Sequence, residues 1–234
     1  MIFLIFMALQ AGVAFALPQG FVYLKDIAPE IQQSVRYATE ENFTGSILAG
    51  YNAKEIILTK EVGIALKKAN EDVLKEGFEI VVYDGYRPRK ASINMMKWAK
   101  SPREEKKRFY FPELSKEGIF KRGFVAEKSS HSRGSTVDVT IIKKGLKVCD
   151  VKPIKRGEFI FLDDCTEDMG MHWDFFGTES WTESPLMSDK INAKRKFLQN
   201  VMKKYGFSGI KGEWWHFTLK NEPFKDEYFN FDIQ

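Results

Sequence analysis

Ser135-Thr136-Val137-Asp138-Val139-Thr140-Ile141-Ile142 is the stretch on which the fold turns. Val137, Val139 and Ile141 alternate with Thr136, Asp138 and Thr140, and a period of two belongs to a strand whose faces differ. Burying the polar face is expensive unless its side chains coordinate or hydrogen-bond something. Outward from this strand, Phe78 to Tyr83 is β-branched and aromatic and stops at the turn dipeptide Asp84-Gly85. Before it, Val62, Ala65, Leu66, Ala69 and Val73 fall at helical spacing over Lys60 to Glu76, with Gly77 as the stop. A second helix is expected over Ala91 to Lys100, with Ile93, Met96 and Trp98. A third is expected over Asp189 to Tyr205, placing Ile191, Phe197, Val201 and Met202 near one face. Trp214 to Leu219 supplies another strand. Hairpin-like strands among helices, without regular βαβ alternation, predict an α+β fold: a single domain with a central, mainly antiparallel sheet flanked by helices.

The 234 residues suit one domain, and 36 Lys+Arg against 32 Asp+Glu leave a charge of +4 with no long basic block. Electrostatics therefore give no reason to expect a nucleic-acid partner. Two cysteines build neither a disulfide framework nor a four-cysteine zinc ribbon, so any metal must rest on His, Asp and Glu. Met1 to Leu24 carries no charge, Ile2 to Phe15 is almost wholly apolar, and Ala14-Phe15-Ala16 precedes Leu17-Pro18. This predicts a signal peptide over residues 1–16 and a mature domain over 17–234, exported to the periplasm with no membrane span after cleavage. The missing basic n-region leaves an uncleaved anchor or a buried core segment open. Export allows Cys149 and Cys165, sixteen positions apart, to form a disulfide; two unpaired core cysteines are the alternative.

Only three histidines are present. His131 lies in the small-residue turn Ser129-Ser130-His131-Ser132-Arg133-Gly134, seven positions before Asp138, a mixed N,O pair that suits a borderline cation but equally a hydrogen-bonded surface pair. Gly212-Glu213-Trp214-Trp215-His216-Phe217 sets a base and an imidazole among rings that exclude solvent, or is an ordinary edge strand. Arg87, in Asp84-Gly85-Tyr86-Arg87-Pro88, is held extended by the following proline and can clamp a carboxylate or an oxyanion. Asp174, in Met169-Gly170-Met171-His172-Trp173-Asp174, needs a partner, either a substrate ammonium or an internal cation. His172 reads as a third nitrogen ligand or as a half-exposed residue with no role.

In this order the blocks resemble the zinc D-alanyl-D-alanine dipeptidases, the VanX-like branch of zinc peptidases acting on cell-wall peptides. The resemblance runs from about Tyr37 to Phe231 and includes Tyr37-Ala38-Thr39 with Asn42-Phe43-Thr44-Gly45. It implies one Zn2+ per chain held by His131, Asp138 and His216, with Glu213 as catalytic base and Arg87 steadying the reacting carbonyl. It also implies that Asp174 and Tyr37 meet the substrate's amino group and that Ser129 contacts substrate. His172 matches nothing in the pattern. The implied activity is hydrolysis of free D-alanyl-D-alanine, a small dipeptide, with longer peptides poor substrates; oligomeric state is left open. Alternatives are a D,D-carboxypeptidase or endopeptidase on peptidoglycan peptides, reached if the long Asp138 to Met169 segment opens the pocket, and a non-catalytic zinc-binding module. Two departures stand out: Thr136 where a smaller Ala is usual, and the extra length of the segment that holds both cysteines, expected to be a bridged loop. Asn42-Phe43-Thr44 also fits a glycosylation sequon, which the resemblance explains better.

Overall fold

The computed structural model describes residues 16–234; apart from Ala16, the expected leader over 1–16 lies outside them. Five strands form the main sheet in the order β2 (Gln32–Gln33), β4 (Phe78–Asp84), β5 (Thr136–Lys143), β9 (His216–Leu219) and β8 (Phe207–Gly209). Every pairing is antiparallel except β2 with β4. The α+β architecture expected above is therefore the one observed. β5 is the middle strand and is buried from Thr136 to Ile142, because apolar side chains line one face and the other is enclosed by the site described below.

The β4–β5 register shifts between Val82, opposite Val139, and Asp84, opposite Asp138. This bulge adds Tyr83 to one strand and sets Asp84 directly across from Asp138. On the other side of β5, Asp138 faces His216. β9 begins at His216, not at Trp214 as expected. The backbone N–H of Trp214 donates to the Ser180 carbonyl (3.0 Å) and so leaves the ladder.

Helix α2 (Lys60–Lys75) buries Val62, Leu66, Ala69 and Val73 as its spacing predicts. Its buried Asn70 accepts a hydrogen bond from the Ile80 N–H (2.8 Å), tying helix to strand. The other two long helices bury different stripes from those expected. In α3 (Arg89–Ala99) the buried residues include Ala91, Met95 and Trp98, and Ile93 is exposed. In α6 (Asp189–Lys204) they are Arg195, Leu198 and Met202, with Ile191, Phe197 and Val201 flanking. A buried arginine moved that stripe: Arg195 donates to the carbonyls of Met169 and Trp181.

A second small sheet pairs β1 (Phe21–Tyr23) with β3 (Ile57–Thr59), and a third pairs β6 (Lys152–Arg156) with β7 (Phe159–Asp163). The β6–β7 hairpin is the extra segment, and the Cys149–Cys165 disulfide closes its base, as the sequence reading expected. No helix among the described residues is long and apolar enough to cross a membrane.

Candidate active site

The row Asp84, Asp138, His216 runs across three adjacent strands, and the turn before β5 brings His131 over it. Ser129 starts that turn by accepting a hydrogen bond from the His131 N–H (3.3 Å). Gly134 ends it at φ +79°, where a Cβ would lie 2.2 Å from the Phe21 ring, so only glycine fits. Arg133 anchors the turn through two 2.8 Å bonds to Glu222. The Thr136 hydroxyl, the departure noted above, meets Thr218 at 2.9 Å.

Three donor atoms converge. His131 Nε2 lies 3.3 Å from His216 Nδ1 and 3.4 Å from Asp138 Oδ1, and His216 Nδ1 lies 3.2 Å from Asp138 Oδ1. Four-coordinate zinc with ligands at about 2.0–2.1 Å requires donors roughly 3.3 Å apart, the edge of that tetrahedron. Asp138 Oδ1 is buried with no hydrogen-bond partner among the described residues, an arrangement that costs free energy unless a cation satisfies it. The other ends of the donors are held as metal ligands require. His131 Nδ1 lies 2.8 Å from the Gly85 carbonyl, which makes Nδ1 the protonated nitrogen and leaves the Nε2 lone pair facing the site. Asp138 Oδ2 accepts from Trp173 Nε1 (3.1 Å), and His216 Nε2 lies 3.4 Å from Ser130 Oγ. The His/Asp/His set thus fits a divalent metal.

Electrostatics agree. Asp84, Asp138, Asp174 and Glu213 are all buried around one buried guanidinium, Arg87. Burial works against the Asp138 charge, yet the two imidazoles hold its carboxyl well below the usual carboxylate range. Burial lowers His216, which keeps it neutral as a ligand must be. Glu213, with Oε2 3.4 Å from His216 Nδ1, is raised well above its ordinary value by burial, then by Asp138 and Asp174.

Arg87 is fixed from three directions. Nε and Nη2 donate to Asp84 Oδ2 at 2.9 and 2.8 Å, Cζ sits 4.9 Å from the Tyr37 ring centroid, and Nη2 is 3.9 Å from Asp138 Oδ2. Asp84 also accepts from the Tyr51 hydroxyl (2.7 Å). Across the cavity, the Tyr37 hydroxyl donates to Asp174 Oδ2 (2.7 Å). Asp174 holds φ +62°, a left-handed conformation that Asp tolerates at a cost of about 1 kcal/mol or more and that clusters at functional sites. Burial, then the Asp138 charge, pushes its carboxyl up to about 8.

All eight residues singled out by the resemblance (His131, Asp138, His216, Glu213, Arg87, Asp174, Tyr37 and Ser129) border one cavity of about 270 Å³. No residue between 139 and 173 is among its lining, so the bridged hairpin does not open it. His172 lies apart and is buried, not half-exposed. Its Nδ1 accepts from the Leu162 N–H (3.3 Å), and Tyr110, Phe161 and Phe175 pack edge-on around it. Asn42 is also buried, its amide donating to the Thr39 and Ser46 carbonyls, so it shapes a turn and is closed to a glycan. Sequence reasoning passed over Asp84, Tyr51 and Trp173. Asp84 stood beside Arg87 in the motif, but its paired oxygens become visible only once the bulge is known.

The family model described as D-ala-D-ala dipeptidase, peptidase M15, matches residues 18–151 and 161–234, leaving out most of the β6–β7 hairpin. The D-alanyl-D-alanine dipeptidase of Enterococcus faecalis is 33% identical over 215 residues, covering 92% of this chain and 98% of its own length. That of Streptomyces coelicolor is 33% identical over 214 residues, covering 91% and 98%. A solved structure of LdcB LD-carboxypeptidase is 18% identical, covers 89% of this chain and 72% of its own, and gives a TM-score of 0.44.

Proposed function

Because this chain belongs to the peptidase M15 family of D-ala-D-ala dipeptidases, we propose that it hydrolyses free D-alanyl-D-alanine to two D-alanines with one zinc ion per chain. The observation that carries the metal assignment is the donor triangle of 3.2, 3.3 and 3.4 Å around an unpaired, buried Asp138 oxygen. Zinc held by His131, Asp138 and His216 would supply Lewis-acid activation of water and polarisation of the scissile carbonyl. The surrounding side chains do the rest.

Glu213 takes a proton from the attacking water and returns it to the leaving amine, a task suited to a carboxyl whose proton affinity is raised by burial. Arg87, charged and clamped by Asp84, faces the oxyanion that forms at the carbonyl; losing one such donor typically costs about 3 to 4 kcal/mol. Asp174, oriented by Tyr37, accepts the substrate ammonium. Ser129 lines the same cavity, where its hydroxyl can meet the dipeptide. Acylation of the amino group removes the Asp174 pair and strands a buried carboxylate.

That argument, with a lining that excludes the bridged hairpin, favours the dipeptide over wall polymer. A non-catalytic zinc module needs neither Glu213 nor Arg87. Export to the periplasm, with the leader removed, is part of the proposal and is supported by the Cys149–Cys165 bridge, a bond that oxidising compartments preserve. The test is release of D-alanine from the dipeptide by purified protein. Activity is expected to vanish on chelation, return with one zinc per chain, and fall at least about a hundredfold in Glu213→Ala. Undiminished turnover in that variant refutes the proposed role.

A further inference from the structure

Next to the donor cavity lies a second cavity of about 390 Å³, lined by residues that include Arg122, Phe124, Trp181, Ile210, Gly212 and Glu213. Phe124, Ile210 and Glu213 border both cavities, whereas Asp174, Tyr37 and the three donors border the first and not the second. This asymmetry orients a bound peptide. On the reading above, Asp174 holds the ammonium and Glu213 returns a proton to the leaving amine. A space that touches Glu213 and not Asp174 therefore lies on the leaving-amine side of the scissile bond.

The lining is suited to a peptide end. Phe124 and Trp181 offer rings, and Ile210 is 43% exposed with no core to cover it. Arg122 stands at the C-terminal end of the helix Lys116–Lys121. The Trp181 ring is held by Lys211, whose Nζ sits 4.3 Å from its centroid. At Gly212 an added Cβ would meet nothing within 4 Å, so the cavity is open there.

We propose that this second cavity is a subsite for a residue beyond the scissile dipeptide. The enzyme then also removes the amino-terminal D-alanine from C-terminally extended peptides with a free amino end, and Arg122 receives the terminal carboxylate. This rests on the dipeptidase reading and deepens it. Water adds hydroxyl to the first carbonyl carbon and a proton to the leaving nitrogen as the C–N bond breaks, giving D-alanine and a shortened peptide. The expectation that longer peptides are poor substrates then narrows to those extended at the amino end.

The test uses the zinc-loaded chain with D-Ala-D-Ala, D-Ala-D-Ala-D-Ala and the tripeptide's C-terminal amide, in wild type, Arg122→Glu and Gly212→Phe. The tripeptide is expected within about tenfold of the dipeptide in kcat/KM. Arg122→Glu should lower the acid tripeptide about tenfold or more while leaving the dipeptide within about twofold and the amide unchanged, a split that a merely structural role does not produce. Gly212→Phe fills the cavity and should suppress both tripeptides selectively. Dipeptide turnover with the tripeptide below about 1% of it, or equal losses on all three substrates in Arg122→Glu, overturns the subsite. Tripeptide turnover without dipeptide turnover overturns the dipeptidase reading and leaves the subsite standing; if neither is cleaved, both fall.

Discussion

Replacing Asp84 with asparagine tests whether a residue outside the reacting atoms sets the rate. Asp84 is fully buried, and its Oδ2 accepts from both Nε and Nη2 of Arg87, while Oδ1 accepts from Tyr51. An asparagine fills the same volume but removes the charge, and its amide has only one oxygen with which to accept. Each hydrogen bond to a charged group is worth about 1.5–3 kcal/mol, so losing the grip on Arg87 costs about 3 kcal/mol of orientation at the oxyanion. That equals roughly a hundredfold in kcat. On the proposed assignment KM should change little, because the ammonium falls to Asp174, which is oriented by the Tyr37 hydroxyl and not by Asp84. The assay is a double-mutant cycle on dipeptide turnover with Asp84→Asn, Arg87→Ala and the pair, each checked for zinc content and thermal unfolding. Since Asp84 acts through Arg87, the double variant should lose about what Arg87→Ala loses alone. Full additivity, with fold and metal intact, would refute the positioning role.

Three other outcomes are expected. Asp174→Asn should lower kcat/KM about a hundredfold by stranding the ammonium; in the unaltered enzyme substrate affinity should rise with pH through a limb at or below about 8, since protonated Asp174 cannot neutralise that cation, and a pH–KM profile should show the limb missing in the variant. Trp173→Phe removes the N–H that anchors Asp138 Oδ2, so chelator competition should report zinc affinity about 10- to 100-fold weaker, whereas unchanged affinity would discount that anchor. Reducing the Cys149–Cys165 bridge should cost about 3 kcal/mol in denaturant unfolding while leaving kcat/KM of the folded enzyme within about twofold, and a parallel loss of activity would show that the hairpin reaches the cavity.

How much of this was legible in the sequence follows from the range of each interaction. The alternation around Asp138 revealed β5, and Gly134 marked the turn that carries His131, since both signals are local; the reading of His131 as a ligand came from the resemblance. The burial stripe of α6 misled because Arg195 reads as a surface residue, yet it is buried by bonds to carbonyls of Met169 and Trp181 that lie far away in sequence. Trp173 stands 35 positions from the carboxylate it anchors. Tyr51 is 33 positions from Asp84. No periodicity encodes such pairs, so the ligands could be read through the resemblance and their supports could not.

The bulge in β4 explains why the supports and the ligands share one cavity. In an antiparallel ladder without the shift, Val82 opposite Val139 would place Tyr83 opposite Asp138 and put Asp84 one position further on. Because side chains alternate between faces, that one-residue slip would turn Asp84 away from Arg87 and direct the Tyr83 ring toward the donors. With the extra residue in place, Asp84, Asp138 and His216 line up across β4, β5 and β9, and the Tyr83 hydroxyl donates instead to Asp164 (2.7 Å), which also pairs with Arg36. The same irregularity therefore aligns the site and, one residue earlier, ties the strand to the segment that carries Cys165. The Tyr83 ring also stacks on Trp173, whose Nε1 donates to Asp138 Oδ2, so the bulge braces the donors through Trp173 on their own side of the strand, while the hairpin beyond Asp164 stays outside the cavity lining.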